Sequence, residues 1–209
     1  MTLNELTDAV VSAAIDRQRF LVALAGPPAA GKTTLAGDLA STLRARGERV
    51  ALVAMDGFHL DNATLKKRNE LARKGAPHTF DASALVALVE QLRLGDRDIP
   101  VPGFDRSTDS TIPDFSAVTH EDRIVLIEGN YLLLNKPPWD TLRDHFDLTV
   151  FLETPLDILR QRLVQRWTDL GLTAEAALSR AEQNDLPNAR TVLEHSFPAE
   201  TTLRDWLQH

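Results

Sequence analysis

The chain alternates between short, continuous apolar runs and longer segments whose apolar residues recur with helical spacing. Four of the apolar runs predict buried β-strands, and they lie at residues 20–25, 50–54, 124–127 and 148–152. A weaker run at 201–203 predicts a further short strand. Continuous apolar strands that alternate with helices indicate a mostly parallel sheet covered on both faces, so the predicted fold class is α/β.

Start and stop signals place helices between these strands. Thr2 and Glu5 have the spacing of a capping box, which predicts a helix at the beginning of the chain. A second helix is predicted before Gly47, and a third between an N-cap at Asp81 and a stop at Gly95. Later in the chain, helices are expected to begin by N-cap and N1 chemistry at Thr154-Pro155 and to run over about 173–183.

One segment breaks this alternation. Residues 96–122 contain three prolines and few periodic apolar positions, which predicts a long excursion from the alternating strands and helices. Excursions of that length in compact proteins are often binding loops. With 209 residues, the chain is expected to form a single domain over 1–209.

Composition narrows the classes of function. The net charge is −7 and no basic stripe is present, so a nucleic-acid partner is not expected. The chain has no cysteine, which excludes disulfides and thiolate metal sites. No apolar stretch reaches 18 residues and the N-terminus lacks a signal-peptide pattern, so we expect no membrane association and a cytoplasmic location.

A phosphate-binding motif directly follows the first predicted strand. Residues 26–33 read Gly-Pro-Pro-Ala-Ala-Gly-Lys-Thr, which fits the G-x-x-x-x-G-K-[ST] pattern. In this pattern, backbone N–H groups converge on phosphate oxygens, the lysine adds a positive charge, and the hydroxyl binds Mg²⁺. The order of strand, loop and helix is the one that this chemistry needs, because the N-terminus of the helix must point at the anion.

Two further strands deliver carboxylates to the same edge of the predicted sheet. Ligands of such sheets lie beyond the carboxyl ends of the strands. The strand at 50–54 leads to Asp56, with His59 nearby, and the strand at 124–127 leads to Glu128. Two carboxylates beside a triphosphate loop suit Mg²⁺-assisted phosphoryl transfer, in which a base positions the attacking oxygen.

The helix expected after Pro155 carries three arginines. Arg162 and Arg166 are four residues apart and share a face, whereas Arg160 points elsewhere. Paired arginines on one face are able to close over phosphates, although a solvated helix face fits the same spacing. The neighbouring Trp167 is expected to serve packing.

Together these motifs resemble the uridine kinase, phosphoribulokinase and bacterial pantothenate kinase family. Besides the phosphate loop, the resembling segments are residues 55–59, 73–81, 102–106, 127–130 and 184–187. Residues 102–106 resemble the family's P-x-Y-D strand, in which Phe104 replaces the tyrosine. A bacterial subgroup with a similar pattern is often labelled a fructose transport system kinase, a label that does not identify the acceptor.

The resemblance implies a P-loop NTPase fold of three α/β/α layers with a small helical lid at about 155–185. It also implies an acceptor-site excursion at about 57–122. The implied activity is an ATP- and Mg²⁺-dependent transfer of the γ-phosphoryl group to a hydroxyl of a sugar, nucleoside or pantothenate-like metabolite. Related kinases are often dimers or tetramers, so a homodimer is a candidate state.

The resemblance also implies a role for each matching residue. Asp56 is the implied catalytic base, and Lys32 and Arg166 are implied to stabilise the transferring phosphoryl group. The implied nucleotide-binding residues are Gly26, Ala29, Ala30, Gly31, Lys32, Thr33, Thr34 and Arg162. The implied metal ligands are Thr33 and Glu128. The implied acceptor-binding residues are Asp56, His59, Arg73, Phe104, Asp105, Arg106 and Asn184.

Several of these residues also have an ordinary structural interpretation. Asp56 fits a turn before a glycine, Glu128 fits a strand-end cap, and His59 fits a structural histidine. The basic stretch at 73–78 fits a solvated loop, Asp105 and Arg106 fit a surface ion pair, and Asn184 fits a helix stop. A phosphorylated acceptor needs a second anion site, which Arg73, Lys74 and Arg106 could provide, and the same residues could bind a carboxylate.

Two other functions compete with a metabolite kinase. A nucleotide-dependent switch acting on a protein partner fits the phosphate loop, although residues 135–138 read Asn-Lys-Pro-Pro and lack the acid of a guanine-recognition motif. A nucleic-acid-dependent NTPase is disfavoured by the acidic charge balance.

Overall fold

A computed structural model describes residues 1–204 and residue 206. Its central sheet has five parallel strands in the order β2-β5-β1-β6-β7. These are β1 (Phe20–Ala25), β2 (Val50–Ala54), β5 (Ile124–Gly129), β6 (Leu148–Glu153) and β7 (Thr201–Arg204). All five strands were predicted from their apolar runs, within one or two residues at their ends.

The sheet is buried on both faces, which makes the architecture a three-layer α/β/α sandwich. In β1, Leu21 and Ala23 pack into one apolar cluster, whereas Val22 and Leu24 pack into the other. This is why the strand is apolar throughout instead of alternating with polar residues. The predicted fold class is confirmed.

Helices α1 (Leu3–Ala13), α2 (Lys32–Ala45) and α5 (Leu156–Asp169) contribute to the cluster on one face. Helix α4 (Ala82–Leu94) packs on the opposite face. The remaining helices are α3 (Asn62–Lys67), α6 (Ala174–Arg180) and α7 (Leu186–His195). Thr2 and Glu5 form the predicted capping box, and Asp81 caps α4 by accepting a hydrogen bond from the Ala84 N–H. Within the described residues, no helix is long and apolar enough to cross a membrane.

The predicted excursion at 96–122 folds as an antiparallel hairpin and is not an irregular loop. Its strands are β3 (Ile99–Asp105) and β4 (Ser110–Val118), which pair apart from the main sheet. Most side chains of β4 are exposed to solvent, so this strand lacks the apolar run that marks the buried strands.

Two helix boundaries also differ from the prediction. Pro155 itself occupies the N-cap of α5, and the side chain of Thr154 makes no capping bond. Helical structure also does not end near residue 183, because a π-helical turn at Ala181–Asp185 joins α6 to α7. Asn184 therefore lies within continuous helical structure, and its interpretation as a helix stop is wrong.

Candidate active site

The phosphate loop connects β1 to α2 at the carboxyl edge of the sheet. Gly31 forms the N-cap of α2 with a φ of 97°, a left-handed conformation that favours glycine. A Cβ on Gly26 would lie 2.7 Å from the Leu152 carbonyl oxygen, so only glycine lets the loop pass this close to β6. The loop therefore directs the first N–H groups of α2 outward, which is the arrangement that binds phosphate.

Lys32 is buried at the base of this loop. Its ammonium donates to the Pro27 carbonyl oxygen at 2.9 Å and to Asn130 Oδ1 at 2.7 Å. Burial lowers the pKa of Lys32 to about 8, while the nearby Glu128 and Asp56 carboxylates oppose this shift. The ammonium of Lys32 is thus held in place in a poorly solvated site. A bound phosphate would raise the pKa of Lys32 again, because an adjacent negative charge favours the protonated form.

Thr33 and Glu128 form an oxygen-rich pair beside the loop. The Thr33 hydroxyl donates to Glu128 Oε1 at 3.0 Å, and burial raises the pKa of Glu128. Hydroxyl and carboxylate oxygens are ligands that Mg²⁺ accepts, with phosphate and water oxygens completing its shell. No cluster of three or more acidic, histidine or cysteine side chains suited to a metal occurs among the described residues. The pair therefore fits a metal that is held jointly with a nucleotide.

Asp56 lies in the short turn that follows β2, at the same sheet edge as Glu128. β5 pairs with both β1 and β2, and Glu128 stands opposite Leu24 and Ala54 in the register. The carboxylate of Asp56 accepts a hydrogen bond from Arg106 Nη2 at 3.2 Å. The strand-end argument therefore placed the two carboxylates correctly at one cavity.

The hairpin brings Arg106 to Asp56 through a close backbone contact. A Cβ on Gly57 would lie 2.3 Å from the Pro102 carbonyl oxygen, so the turn after β2 needs glycine at this position. The interpretation of Asp105 and Arg106 as a surface ion pair is wrong. The carboxylate of Asp105 instead accepts hydrogen bonds from Ser107 and Thr108 within the hairpin turn, and it does not line the cavity.

His59 packs between two aromatic rings. Its ring centroid lies 4.0 Å from that of Phe80 and 4.7 Å from that of Phe104. Its Nδ1 lies 2.8 Å from the backbone oxygen of Asp56, and burial lowers the pKa of His59. His59 therefore supports the turn that carries Asp56 while its ring also lines the cavity.

The two paired arginines of α5 face the phosphate loop. Arg162 Nη1 lies 3.4 Å from the Ala29 carbonyl oxygen, and both Arg162 and Arg166 line the cavity. Burial lowers the pKa of Arg166, whose guanidinium lies 5.8 Å from the centroid of the Trp167 ring. Arg160 points away, as predicted, and pairs with Glu182 at 2.8 Å.

Arg73 and Asn184 lie behind the cavity wall and are not part of its lining. Arg73 donates to the Gln183 carbonyl oxygen at 2.7 Å and lies 3.4 Å from Asn188 Oδ1. Asn184 is 2% exposed, and its amide donates to the Lys74 carbonyl oxygen at 2.9 Å. Both side chains therefore fasten the loop around Lys74 to the helical residues 183–188, which lie at the base of the predicted lid.

The sequence indicates Lys74 only as a candidate for a second anion site, whereas in the structure its ammonium is bound by acceptors from the protein itself. Its ammonium lies 2.9 Å from Asp109 Oδ1 and donates to Asn62 Oδ1 at 2.8 Å. Asn62 Nδ2 in turn donates to Asp109 Oδ2 at 3.0 Å. The sequence argument missed Asn62 and Asp109, because only the fold brings the hairpin turn, α3 and the loop at 71–76 together.

One cavity of about 1140 Å³ is lined by most of these side chains, namely Lys32, Thr33, Asp56, His59, Asn62, Lys74, Arg106, Asp109, Glu128, Arg162 and Arg166. We call the part formed by the phosphate loop, residues 128–130 and the arginines of α5 the donor half. We call the part formed by lining residues at 56–109 and 180–188 the acceptor half. Asn130, at the end of β5, also lines the donor half, and the strand-end rule that indicated Glu128 could have found it.

Comparison with known proteins identifies the family. The sequence profile of the phosphoribulokinase / uridine kinase family matches residues 21–197. A Schizosaccharomyces pombe protein with a provisional uridine kinase designation is 37% identical over 194 residues, covering 88% of this chain and 83% of that protein. A pantothenate kinase of Nocardioides sp. is 33% identical over 166 residues, and the match spans 76% of this chain but 50% of that enzyme.

A solved structure supports the same assignment. A Silicibacter sp. TM1040 protein provisionally described as a fructose transport system kinase superposes with a TM-score of 0.93 at 44% identity. The superposition covers 97% of this chain and 99% of that one. The chain thus belongs to the phosphoribulokinase / uridine kinase family and is a P-loop kinase that transfers a phosphoryl group from ATP to a hydroxyl of a small molecule.

Proposed function

We propose that Asp56 is the catalytic base of this kinase and that the cavity binds Mg²⁺-ATP beside a metabolite acceptor. The observation that carries the proposal is that Asp56, Lys32 and Glu128 line the same cavity and influence one another electrostatically. A carboxylate at the boundary between the donor half and the acceptor half is where a base for the acceptor hydroxyl is needed.

The donor half suits a triphosphate. It contains the loop N–H groups, Lys32, Arg162 and Arg166, which together offer positive charge on two sides of a bound phosphate. Mg²⁺ held by Thr33 and Glu128 would neutralise charge on the β- and γ-phosphates. Arg166 is the residue assigned to the developing charge, because its guanidinium lines the cavity and interacts electrostatically with both Asp56 and Arg106.

The proposed reaction is a direct transfer. The acceptor oxygen forms a bond to the γ-phosphorus, the bond from that phosphorus to the bridging oxygen of ADP breaks, and the hydroxyl proton passes to Asp56. Catalysis then rests on positioning and on electrostatic stabilisation by Lys32 and Arg166. Phe104, His59 and Arg106 line the acceptor half and are proposed to contact the acceptor.

A panel of metabolites with coupled detection of ADP tests the proposal. A kinase of this kind releases ADP in a manner that depends on one class of hydroxyl-bearing metabolite, and the phosphorylated product is detectable by ³¹P NMR. Stimulation by a protein partner, with no metabolite active, would support the alternative of a nucleotide-dependent switch. The homodimer and the cytoplasmic location expected from the sequence stay predictions.

A further inference from the structure

The acceptor half contains cations, and the three basic residues that the sequence indicates for an anion site are already engaged by protein groups. The sequence left open whether Arg73, Lys74 and Arg106 form a second anion site. In the structure, Arg106 pairs with Asp56 at 3.2 Å, and Lys74 pairs with Asp109 at 2.9 Å. Arg73 points away from the cavity toward the base of the lid. None of the three is therefore arranged as a free anion-binding group.

Lys74 is the most constrained of these cations. It is 8% exposed, and its ammonium lies within hydrogen-bond distance of Asp109 Oδ1, the Asp109 carbonyl oxygen and Asn62 Oδ1. An ammonium has three protons, so these three acceptors use all of its donor capacity. We call Lys74, Asp109 and Asn62 the clasp, because they join three separate segments around the acceptor half.

The cation contributed by the lid base is also engaged. Arg180 Nη1 donates to the Ala72 carbonyl oxygen at 2.9 Å, and its guanidinium lies 5.2 Å from the centroid of the Trp167 ring. The same ring donates from Nε1 to the carboxylate of Asp185, a further acid in the lining. Two exposed side chains, Lys66 of the acceptor half and Asp169 at the end of α5, complete the charged lining of the cavity.

The donor half differs in kind. Its charged side chains are three cations, Lys32, Arg162 and Arg166, against the single acid Glu128. The cavity thus separates a positive region, which matches a triphosphate, from the acceptor half, where the four cations Lys66, Lys74, Arg106 and Arg180 are accompanied by the three acids Asp56, Asp109 and Asp185. An anionic group binding to Lys74 or Arg106 would have to displace Asp109 or Asp56 from its partner and then lie beside that displaced carboxylate.

On the basis of the proposed function, we infer that the acceptor is an uncharged, polyhydroxylated molecule and that the clasp excludes anionic analogues. The carboxylate of Asp109 keeps lone pairs beyond the two contacts that it makes within the clasp, and its side chain is 54% exposed. Asn188 adds an amide, and the rings of His59 and Phe104 offer an apolar surface. Carboxylate and amide oxygens that accept hydrogen bonds suit the hydroxyl groups of such a molecule, and the aromatic rings suit its carbon skeleton.

Matched pairs of compounds that differ in charge test this inference. The pairs are pantothenol and pantothenate, glycerol and glycerate, uridine and its monophosphate, and a free ketose and its monophosphate. Binding is measured by calorimetry in the presence of a non-hydrolysable ATP analogue and Mg²⁺, and turnover is measured separately by ADP release. We expect the uncharged member of the best-bound pair to bind at least tenfold more tightly. Equal or tighter binding of the anion would overturn the inference.

The two readouts separate this inference from the proposed function. Preferential binding of the uncharged member without acceptor-dependent ADP release would leave the inference standing and remove the kinase role of the cavity. Acceptor-dependent ADP release with a preference for the anionic member would support the kinase role of the cavity and overturn the inference about the charge of the acceptor.

A variant that removes the negative charge of the clasp tests its role directly. Asp109→Asn keeps the shape of the side chain, and asparagine tolerates the left-handed φ of 51° at this position. The variant leaves Lys74 without its carboxylate partner, so the affinity ratio of anionic to uncharged compounds should rise about tenfold. Asp38→Asn makes the same change of net charge on an exposed part of α2 outside the cavity and serves as the control. An unchanged ratio in Asp109→Asn would contradict the assignment of the clasp.

Discussion

The guanidinium of Arg106 lies 3.2 Å from the carboxylate of Asp56, although 50 residues separate them in the chain. Asp56 follows the edge strand β2 of the main sheet, whereas Arg106 follows the first strand of the separate hairpin. The contact therefore joins the proposed base to the acceptor half and orients one carboxylate oxygen. The other oxygen remains available to an acceptor hydroxyl.

We expect Arg106→Gln to impair catalysis much more than folding. The ion pair is partly exposed, so its loss should change the free energy of unfolding by less than about 1 kcal/mol. Loss of the positioning contact should lower kcat/KM for the acceptor by roughly 10- to 100-fold. Chemical denaturation and steady-state kinetics on the same preparation check both expectations. A large drop in stability with unchanged kinetics would assign Arg106 a structural role instead.

Gly57→Ala should destabilise the protein through a steric clash. The added Cβ would lie 2.3 Å from the Pro102 carbonyl oxygen, and the contact joins two backbone segments that cannot rotate away. We expect a loss of about 1–3 kcal/mol in the free energy of unfolding, as for other overpacked sites.

Gly37→Ala is the matched control for this variant. Gly37 lies in helix α2, and a Cβ there meets nothing within 4 Å. This control should gain about 0.5–1 kcal/mol, because alanine favours helix more than glycine does. Equal effects of the two substitutions would show that the hairpin does not pack closely on the turn carrying Asp56.

ATP binding should weaken above about pH 8. Burial lowers the pKa of Lys32 to about 8 in the free protein, and bound phosphates favour its protonated form. Affinity is therefore fully developed below that pH and declines as the pH rises through it. At one unit above the pKa, the loss should be about tenfold.

Calorimetric titration with an ATP analogue across pH 6.5–9.5 measures this decline. Lys32→Arg, whose guanidinium stays charged, provides the control and should bind with an affinity that varies little over that range. A wild-type affinity that stays constant to pH 9 would show that Lys32 does not change protonation on binding.

The arginines on two different faces of α5 allow a paired test of the proposed role of Arg166. Arg166→Gln should lower kcat by roughly 10²- to 10³-fold, because an arginine at the transferring phosphoryl group stabilises charge in the transition state. Arg160→Gln removes the same charge from the face that pairs with Glu182, and it should change kcat by less than about twofold. Similar losses in both variants would point to helix destabilisation and not to a catalytic role.

The parallel sheet could be predicted because its strands are buried on both faces, which produces continuous apolar runs such as Phe20–Ala25. The hairpin could not, since its outer strand is exposed and contains polar residues and Pro113. Helix α7 was missed because Asn-Asp-Leu-Pro at 184–187 resembles a helix stop. In the structure the helix continues through the π-helical turn at Ala181–Asp185, and Pro187 lies in the first turn of α7 directly after it.

The donor half of the site was predictable from local sequence, because the phosphate loop and strand ends determine its position. The acceptor half was not. The directions of Arg73 and Asn184 depend on how the lid base packs against the loop at 71–76, a contact between segments more than 100 residues apart. Asp109 contacts Lys74 only when the hairpin folds back over α3, and no spacing in the sequence predicts that contact.

The central claim is that Asp56 accepts the proton of the acceptor hydroxyl. The most direct measurement is single-turnover phosphoryl transfer by Asp56→Asn, with saturating ATP, Mg²⁺ and the best acceptor of the panel. We expect the rate of transfer to fall by roughly 10²- to 10⁴-fold, as for loss of a general base, while ATP affinity changes by less than about threefold. Transfer by Asp56→Asn at the wild-type rate would contradict the assignment of Asp56 as the base.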